Sequence, residues 1–526
     1  VNGPPLTLLT WFLAVLPIVL LLGLMVGFKW GGATSGPASW LLSVVIAFAF
    51  FGASPSLLTL SSLRGLVVSL NVLYIIWPAL LLYHIANGVG ALESIGLGIS
   101  ALTRDRILQL LILGFAFPSF LQGVAGFGVP VAVVAPLLIG LGFHPIEAAV
   151  IPLVGHAWAV TLGSLATSFQ ALVAVTGLPS HPLGLWVSIF LGFSCLVTGF
   201  LVAHIHAGFQ GIRDSWILLL TFGGVMAGIQ FFLAYLDYWV IASFAAGAAG
   251  LLVGLAFVAI LRFKRVALVL STLAPIGQAR MGLHTAFAPY YLLIGVVTVA
   301  TLLPPIKTTL NRVILTFPFP EMRTALGWVT NGGTVSINIF GHPGALLLYA
   351  ALLAYLLYRW AGFWKAGQGL EVLKRTIRHA ITTSIGVMAM IMMSSVMQDT
   401  GMTFLLARGT TWATGRLYPF FVPFIGLLGC FLTGNNVNSN ILFGAFQRDA
   451  ALLLKLNPTI MAALQSTGGS LGSMVAPAKV LLACAIAGLA GKEGEVMRQA
   501  FRYCLFLVAL VGVLGWAILV DLREIW

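Results

Sequence analysis

The chain has 526 residues, of which 60% are hydrophobic and only 7% charged, where a soluble protein carries about 25% charged residues. That composition excludes a soluble globular domain and points to an integral membrane protein. The net charge of +13 comes without a basic stripe interleaved with aromatics, so it reads as cationic loops on the cytoplasmic side rather than as nucleic-acid binding.

Apolar runs of span length fall at 6–28, 38–60, 66–87, 146–170, 183–206, 215–236, 239–261, 286–304, 343–360, 376–398, 458–490 and 500–520. A spanning helix requires ~20 such residues, and the runs lack the strict alternation of barrel strands. The run 6–28 has no basic stretch before it and reads as a retained helix, not a cleaved signal. Two segments differ, 107–143 and 417–456. Each has two apolar arms of about 15 residues, which reach only ~22 Å as helix against a ~30 Å hydrocarbon core. They read as re-entrant helical hairpins.

The polar phrases at the hairpin tips match. Phe120-Leu121-Gln122-Gly123 runs into Val124-Ala125-Gly126-Phe127-Gly128-Val129-Pro130, and Phe431-Leu432-Thr433-Gly434 runs into Asn435-Asn436-Val437-Asn438-Ser439-Asn440. Each is followed by an X-Pro step, His144-Pro145 and Asn457-Pro458, and then by a second polar cluster. Those clusters are Gly155-His156-Ala157-Trp158 with Leu162-Gly163-Ser164, and Gln465 to Gly469 with Leu471-Gly472-Ser473. Matched breaks in the two halves of a membrane chain are the sequence pointer to a transporter's binding site.

Seven spans separate the hairpins, and an odd number places them on opposite faces. The expected architecture is an all-α integral membrane protein with about 12 spanning helices plus two re-entrant hairpins in two inverted repeats. Residues 1–212 form the first repeat with hairpin 107–143. Residues 213–285 supply connecting helices and a basic cytoplasmic loop, and 286–526 form the second repeat with hairpin 417–456. Orientation rests on Arg262-Lys264-Arg265 and Lys374-Arg375-Arg378, both expected in the cytoplasm. The stretch 307–342, with Pro318, Pro320 and Asn331-Gly332-Gly333, is too polar to span and reads as an irregular connection.

The glycines Gly123, Gly126 and Gly128, around Phe127, serve either close backbone approach to an anion or close helix packing. Asn435, Asn436, Asn438, Ser439 and Asn440 are costly in hydrocarbon unless each finds partners. Amides can donate to a carboxylate and accept from a hydroxyl, which suits a small hydroxy acid. Gln465, Ser466 and Thr467 with Gly468-Gly469 offer the same inventory. His156 is an intramembrane ionisable residue, open to a functional role or to a neutral packing role. Lys479 either snorkels to an interface or supplies the cation a carboxylate needs. Glu147 suits a first helical turn structurally. Arg448 and Asp449 mark the hairpin's approach to the interface. His204 and His206 lack a third metal ligand. The single cysteines Cys195, Cys430, Cys484 and Cys504 have no CxxC or CxxH spacing. No metal or cofactor is expected, no phosphate-binding GxxxxGK[ST] loop is present, and no nucleophile–base constellation suggests an enzyme.

The phrases resemble those of the bacterial L-lactate permease family, proton-coupled carriers of lactate and glycolate. The resemblance lies in Trp77-Pro78, in Thr103 to Pro130, and in Phe431-Leu432-Thr433-Gly434. It continues through Ser439-Asn440, Leu442-Phe443, Thr467-Gly468-Gly469, Ala483-Cys484-Ala485 and Gly491-Lys492-Glu493. It implies a plasma-membrane carrier with inverted repeats and an elevator motion. In the resembled family a glutamate stands where this chain has Gln122, an aspartate at Asn436, an asparagine near His156 and a glutamine at Lys479. This chain's site is therefore expected to be more positive and to favour anions, with a dicarboxylate or sulfonate as the alternative cargo and a non-transport membrane subunit as the other alternative. With Gln122 and Asn436 unable to carry a proton, His156, whose ordinary pKa is ~6.5, is the expected coupling residue. Uptake is expected to rise as external pH falls from ~7.5 to ~6.

Overall fold

Among the described residues, helices at Pro55, Val129, Pro145, Pro304, Pro343, Tyr418, Pro458 and Pro477 start with proline in the first turn. The computed structural model describes the chain except residues 1–3, 27, 29, 101, 102, 104, 125, 127, 264–280, 331, 366, 490, 491 and 522–526. Phe127, Lys264 and Arg265 therefore lie outside the described residues.

Helices α1 (Leu8–Val26) and α2 (Gly32–Phe50) precede the long α3 (Pro55–Gly88). The apolar run expected as one span over 38–60 is cut here. Gly52 takes φ 66°, Pro55 restarts the chain at the first helical position, and Ser54 caps it by accepting from Leu57 N–H at 3.3 Å. Next come α4 (Ala91–Ser100) and α5 (Arg106–Leu110), which continues through a π turn (Leu111–Ala116) into α6 (Phe117–Val124). Helix α7 (Val129–Gly140) starts after Gly128 at φ 90°.

Hydrophobicity over 146–170 reads as one span, but the backbone forms α8 (Pro145–Ala157), a break, and α9 (Thr167–Thr176). In the break Ser164, Leu165 and Ala166 hold φ 46°, 58° and 60°. Left-handed backbone costs about 1–2 kcal/mol per non-glycine residue and persists only where surroundings over-determine it. Here Ser164 N–H donates to Gln122 O at 2.7 Å and Leu165 N–H to Gly123 O at 3.0 Å. Orphan carbonyls at the end of α6 thus hold the break in place.

The runs 183–206 and 215–236 join in α10 (Ser180–Tyr235), two helices meeting at a kink at Gly208 (φ 59°, ψ −152°). Helix α11 (Trp239–Phe263) follows, then α12 (Leu283–Leu302) and α13 (Pro304–Leu310) at a 91° bend. The connection over 307–342 is more regular than its prolines suggest. Strands β1 (Ile314–Phe319) and β2 (Gly333–Asn338) pair antiparallel, Thr316 opposite Ser336. Alternating Val, Ile, Thr and Phe sustain that two-stranded edge despite Pro318.

The remaining helices are α14 (Pro343–Trp360), α15 (Gln368–Asp399), α16 (Met402–Thr414), α17 (Tyr418–Thr433), α18 (Asn436–Leu453), α19 (Pro458–Gly472), α20 (Pro477–Ile486) and α21 (Glu493–Asp521). The run 458–490 is thereby split, by a short 3-10 turn (Ser473–Val475) and by Pro477. Among the described residues nine helices are long and apolar enough to cross a membrane, ten if the bent α12–α13 pair is one span. The expectation of about 12 counts 183–206 and 215–236 separately, where they form the single α10, and takes 146–170 and 458–490 as unbroken spans.

One order of elements occurs twice: helix, break, helix, then a broken helix, then a long helix. It runs through α6, α7, α8–α9 and α10, and again through α17, α18, α19–α20 and α21. Helix α18 packs on α9 and α19, while α3 lies along α14 and α15. The breaks are brought together inside an otherwise apolar body.

Candidate functional site

A cavity of about 140 Å³ is lined by Gln122, Gly126, Val160, Ser164, Thr167, Ser168, Gly434, Asn435, Asn436, Val437, Ala478 and Lys479. Two inter-helix tips and two helix breaks therefore meet at one place. The volume is well below the ~300–1,000 Å³ of drug-sized pockets and suits a ligand of a few heavy atoms.

Polarity at the cavity comes from how the chain enters its helices. Thr167 and Ser168 open α9, Asn436 and Val437 open α18, and Ala478 and Lys479 stand in the first turn of α20. Gly126 lies just before α7, whose Val129 N–H donates back to its carbonyl at 3.2 Å. Each helix N-terminus carries roughly +0.5 of an elementary charge, so four of them focus positive potential on the cavity. Asn435 caps α18, its Oδ1 accepting from Asn438 N–H at 2.8 Å.

Lys479 adds a full charge. Its side chain is buried, and Nζ donates to His156 Nε2 at 3.3 Å. His156 is wholly buried, and its Nδ1–H donates to the Pro152 carbonyl. A carbonyl only accepts, so the proton sits on Nδ1 and Nε2 presents its lone pair to the ammonium. A second cation at 3.3 Å would be repelled by roughly 5 kcal/mol at an effective dielectric of ~20. His156 is thus neutral while Lys479 is charged. Among the described residues no carboxylate pairs with Lys479; the ion pairs lie elsewhere, at Arg64–Asp399, His181–Asp237, His206–Glu147, Arg375–Glu371 and Arg448–Asp449.

Polar groups behind the cavity wall fasten the two halves together. Asn436 Nδ2 donates to Thr161 Oγ1 at 2.9 Å and to Ser466 O at 3.2 Å. Ser470 Oγ accepts from Val160 N–H and Thr161 N–H and donates to Ala157 O at 2.7 Å. Asn440 Nδ2 donates to Ser168 O and to Ser466 Oγ, both at 2.9 Å. Ser439 Oγ donates to Gly426 O, Gln465 Nε2 donates to Ser439 Oγ, and Thr467 Oγ1 bonds back to Ala463 O. A Cβ on Gly469 would collide with Asn436 Oδ1, and one on Gly468 with the Pro423 carbonyl, so these glycines permit the close approach of α19.

Of the residues singled out in the sequence, Gln122, Gly126, Asn435, Asn436 and Lys479 line the cavity. His156 touches it through Lys479. Ser439, Asn440, Ser466, Thr467, Gly468 and Gly469 form the wall behind it. Gly123 packs against the Phe244 backbone, and Gly128 makes the left-handed turn into α7. Asn438 is buried with Oδ1 lacking a protein partner among the described residues, as are Gln122 Oε1 and Asn436 Oδ1. Val160, Ser164, Thr167, Ser168 and Ala478 were not foreseen as site residues. Only Ser164, beside Gly163, carried a sequence signal.

A wall residue should behave differently from a lining residue. Asn440→Leu leaves Ser168 O and Ser466 Oγ without their donor, at about 1–3 kcal/mol for each buried acceptor. The expected result is a clearly lowered thermal unfolding midpoint of the detergent-purified protein. An unchanged midpoint would contradict the fastening role.

A second cavity, about 380 Å³, lies between α3, α9, α15 and β2, with Arg64, Asp399 and Arg448 in its lining. Its charges are internally compensated, Arg64 by Asp399 at 3.3 Å and Arg448 by Asp449 at 2.7 Å. It therefore lacks the unbalanced charge of the central cavity.

A multi-pass helical protein whose helices break around a polar cavity inside its apolar body belongs to the class of membrane permeases. The chain belongs to the L-lactate permease family, whose family model matches residues 10–522. It is 29% identical to the L-lactate permease of Escherichia coli (strain K12) and 29% identical to that of Bacillus subtilis (strain 168), with 96% of this chain and 95% of each relative covered. It is 25% identical to the glycolate permease GlcA of Escherichia coli (strain K12), over 96% of this chain and 95% of the relative. The protein is accordingly a transporter and not an enzyme.

Proposed function

We propose that this protein is a plasma-membrane secondary carrier of a small 2-hydroxy carboxylate such as lactate or glycolate, bound in the central cavity. The observation that carries the reading is a buried ammonium without a carboxylate partner among the described residues, set where four helix N-termini converge. Burying such a charge is costly unless a counter-ion completes it. The substrate carboxylate is that counter-ion, held by Lys479 and by N–H groups opening α18 and α20. Gln122 lines the cavity and its Oε1 is a buried acceptor without a partner among the described residues, which suits the donating 2-hydroxyl.

Residues 107–143 and 417–456 act as re-entrant hairpins of two inverted repeats, supported by the repeated order of elements. Helices α6–α9 and α17–α20 move as one body carrying the cavity past α2, α3, α14 and α15, which is an elevator form of alternating access. Names of the relatives support lactate and glycolate as cargo.

Uptake by proteoliposomes tests this. Radiolabelled L-lactate preloaded on one side should exchange by counterflow, and unlabelled glycolate should compete. Counterflow with a dicarboxylate or sulfonate but not with lactate would replace the cargo. Failure of every small anion to exchange would overturn the carrier reading.

A further inference from the structure

Resting on that reading, we infer that Lys479 itself carries the coupling proton, and that His156 is a positioning residue which aims it. The empty carrier poses the problem. With Lys479 protonated and no substrate, the moving body would take an uncompensated charge through an apolar surround, which is strongly disfavoured. With a monocarboxylate bound, the same ammonium is neutralised. An empty carrier returns readily only if the ammonium has given up its proton, and lysine does this more readily than arginine when buried.

The groups facing Lys479 leave no better candidate. Helix α8 contributes the His156 imidazole at 3.3 Å. Helix α17 contributes the Cys430 thiol, and α21 contributes Cys504 beside Cys430. Helices α6, α7, α9 and α19 contain no Asp, Glu, Lys, Arg or His, and the first turn of α18 is all amide, hydroxyl and apolar. His156 is wholly buried, spends its one N–H on Pro152 O and offers only a lone pair. It reaches the cavity through Lys479.

The cycle balances. Facing outward, the Lys479 amine lone pair takes a proton from hydronium, forming an N–H bond and releasing water. The ammonium then pairs with the entering carboxylate, and the neutral complex crosses. Facing inward, the carboxylate leaves, one N–H bond breaks, and its proton passes to cytoplasmic water. The neutral amine returns, still donating one N–H to His156 Nε2. One proton accompanies one monoanion, and no net charge moves.

The test uses the purified full chain in proteoliposomes with L-[14C]lactate. In wild type, an acid exterior should drive accumulation, and potassium diffusion potentials of either sign should leave its initial rate unchanged. In Lys479→Arg the guanidinium stays protonated, so gradient-driven net uptake should fall at least about tenfold while lactate–lactate counterflow remains measurable. His156→Gln should keep its response to the gradient. Should Lys479→Arg show no counterflow, Lys479→His decides, because its lower ordinary pKa of ~6.5 should displace the pH profile of uptake to the acid side.

Accumulation by Lys479→Arg at the wild-type level would overturn the proposal. So would wild-type uptake that follows membrane potential, an unshifted profile in Lys479→His, or loss of the gradient response in His156→Gln with counterflow intact. Absence of both uptake and counterflow in wild type would instead overturn the carrier reading itself.

Discussion

Lys479→Met should weaken binding of a small carboxylate by about 10² to 4 × 10³-fold. Methionine keeps an unbranched chain of similar length but removes the charge that faces the cavity from the first turn of α20. Removing one partner of a buried ion pair costs about 3–5 kcal/mol, and every ~1.4 kcal/mol is a factor of ten in affinity. The helix N-termini remain, so binding should weaken rather than vanish. Isothermal titration of the detergent-purified variant with L-lactate measures this directly. A dissociation constant within threefold of wild type would mean that the anion does not sit on Lys479.

Asn436→Leu should abolish uptake and lower stability together. This one amide reaches Thr161 Oγ1 in the first break and Ser466 O on α19 while also lining the cavity. Leucine removes that donor, although Thr161 Oγ1 still accepts from Ser466 Oγ and Ser466 O from Thr161 Oγ1, so each lost bond costs about 0.5–1.5 kcal/mol. It also pushes a branched side chain toward Gly469, where the approach is close. Initial uptake rates and the thermal midpoint should fall in the same variant. Asn435→Ala removes the cap on α18, should cost ~1 kcal/mol and serves as the comparison for stability. Near-normal uptake by Asn436→Leu would show that the two tips function without this tie.

What the sequence revealed, and what it hid, follows from chemistry at particular residues. Glycine and amide phrases inside apolar runs, Gly123 to Gly128 and Gly434 to Asn440, mark breaks because such groups are expensive in hydrocarbon. The helix ends at Val124 and Thr433 lie at those phrases. Breaks made of helix-favouring residues carried no such mark. Leu165 and Ala166 are ordinary helix formers, yet they take left-handed backbone because α6 supplies the carbonyls that hold them. Thr167 and Ser168 were accordingly hidden inside an apparent span. The kink at Gly208 and the cut at Gly52 rest on single glycines at positive φ, the second followed by the restart at Pro55, and a hydropathy window averages them away. Within the amide run, composition could not separate lining from wall. Asn436 lines the cavity while donating to Thr161 and Ser466, whereas Asn440 one turn later lies in the wall and donates to Ser168 and Ser466. His156 read as an available titrating group because its single proton's commitment to Pro152 is visible only in three dimensions.

The central claim is that the anion lies where both tips, both breaks and Lys479 meet. A cryo-electron microscopy map of the protein in lipid nanodiscs, at saturating L-lactate, tests it most directly. The account predicts ligand density in contact with Lys479 Nζ and with the first turns of α18 and α20, between Gln122 and Asn436. Ligand density in the Arg64–Arg448 cavity, with none beside Lys479, would contradict it.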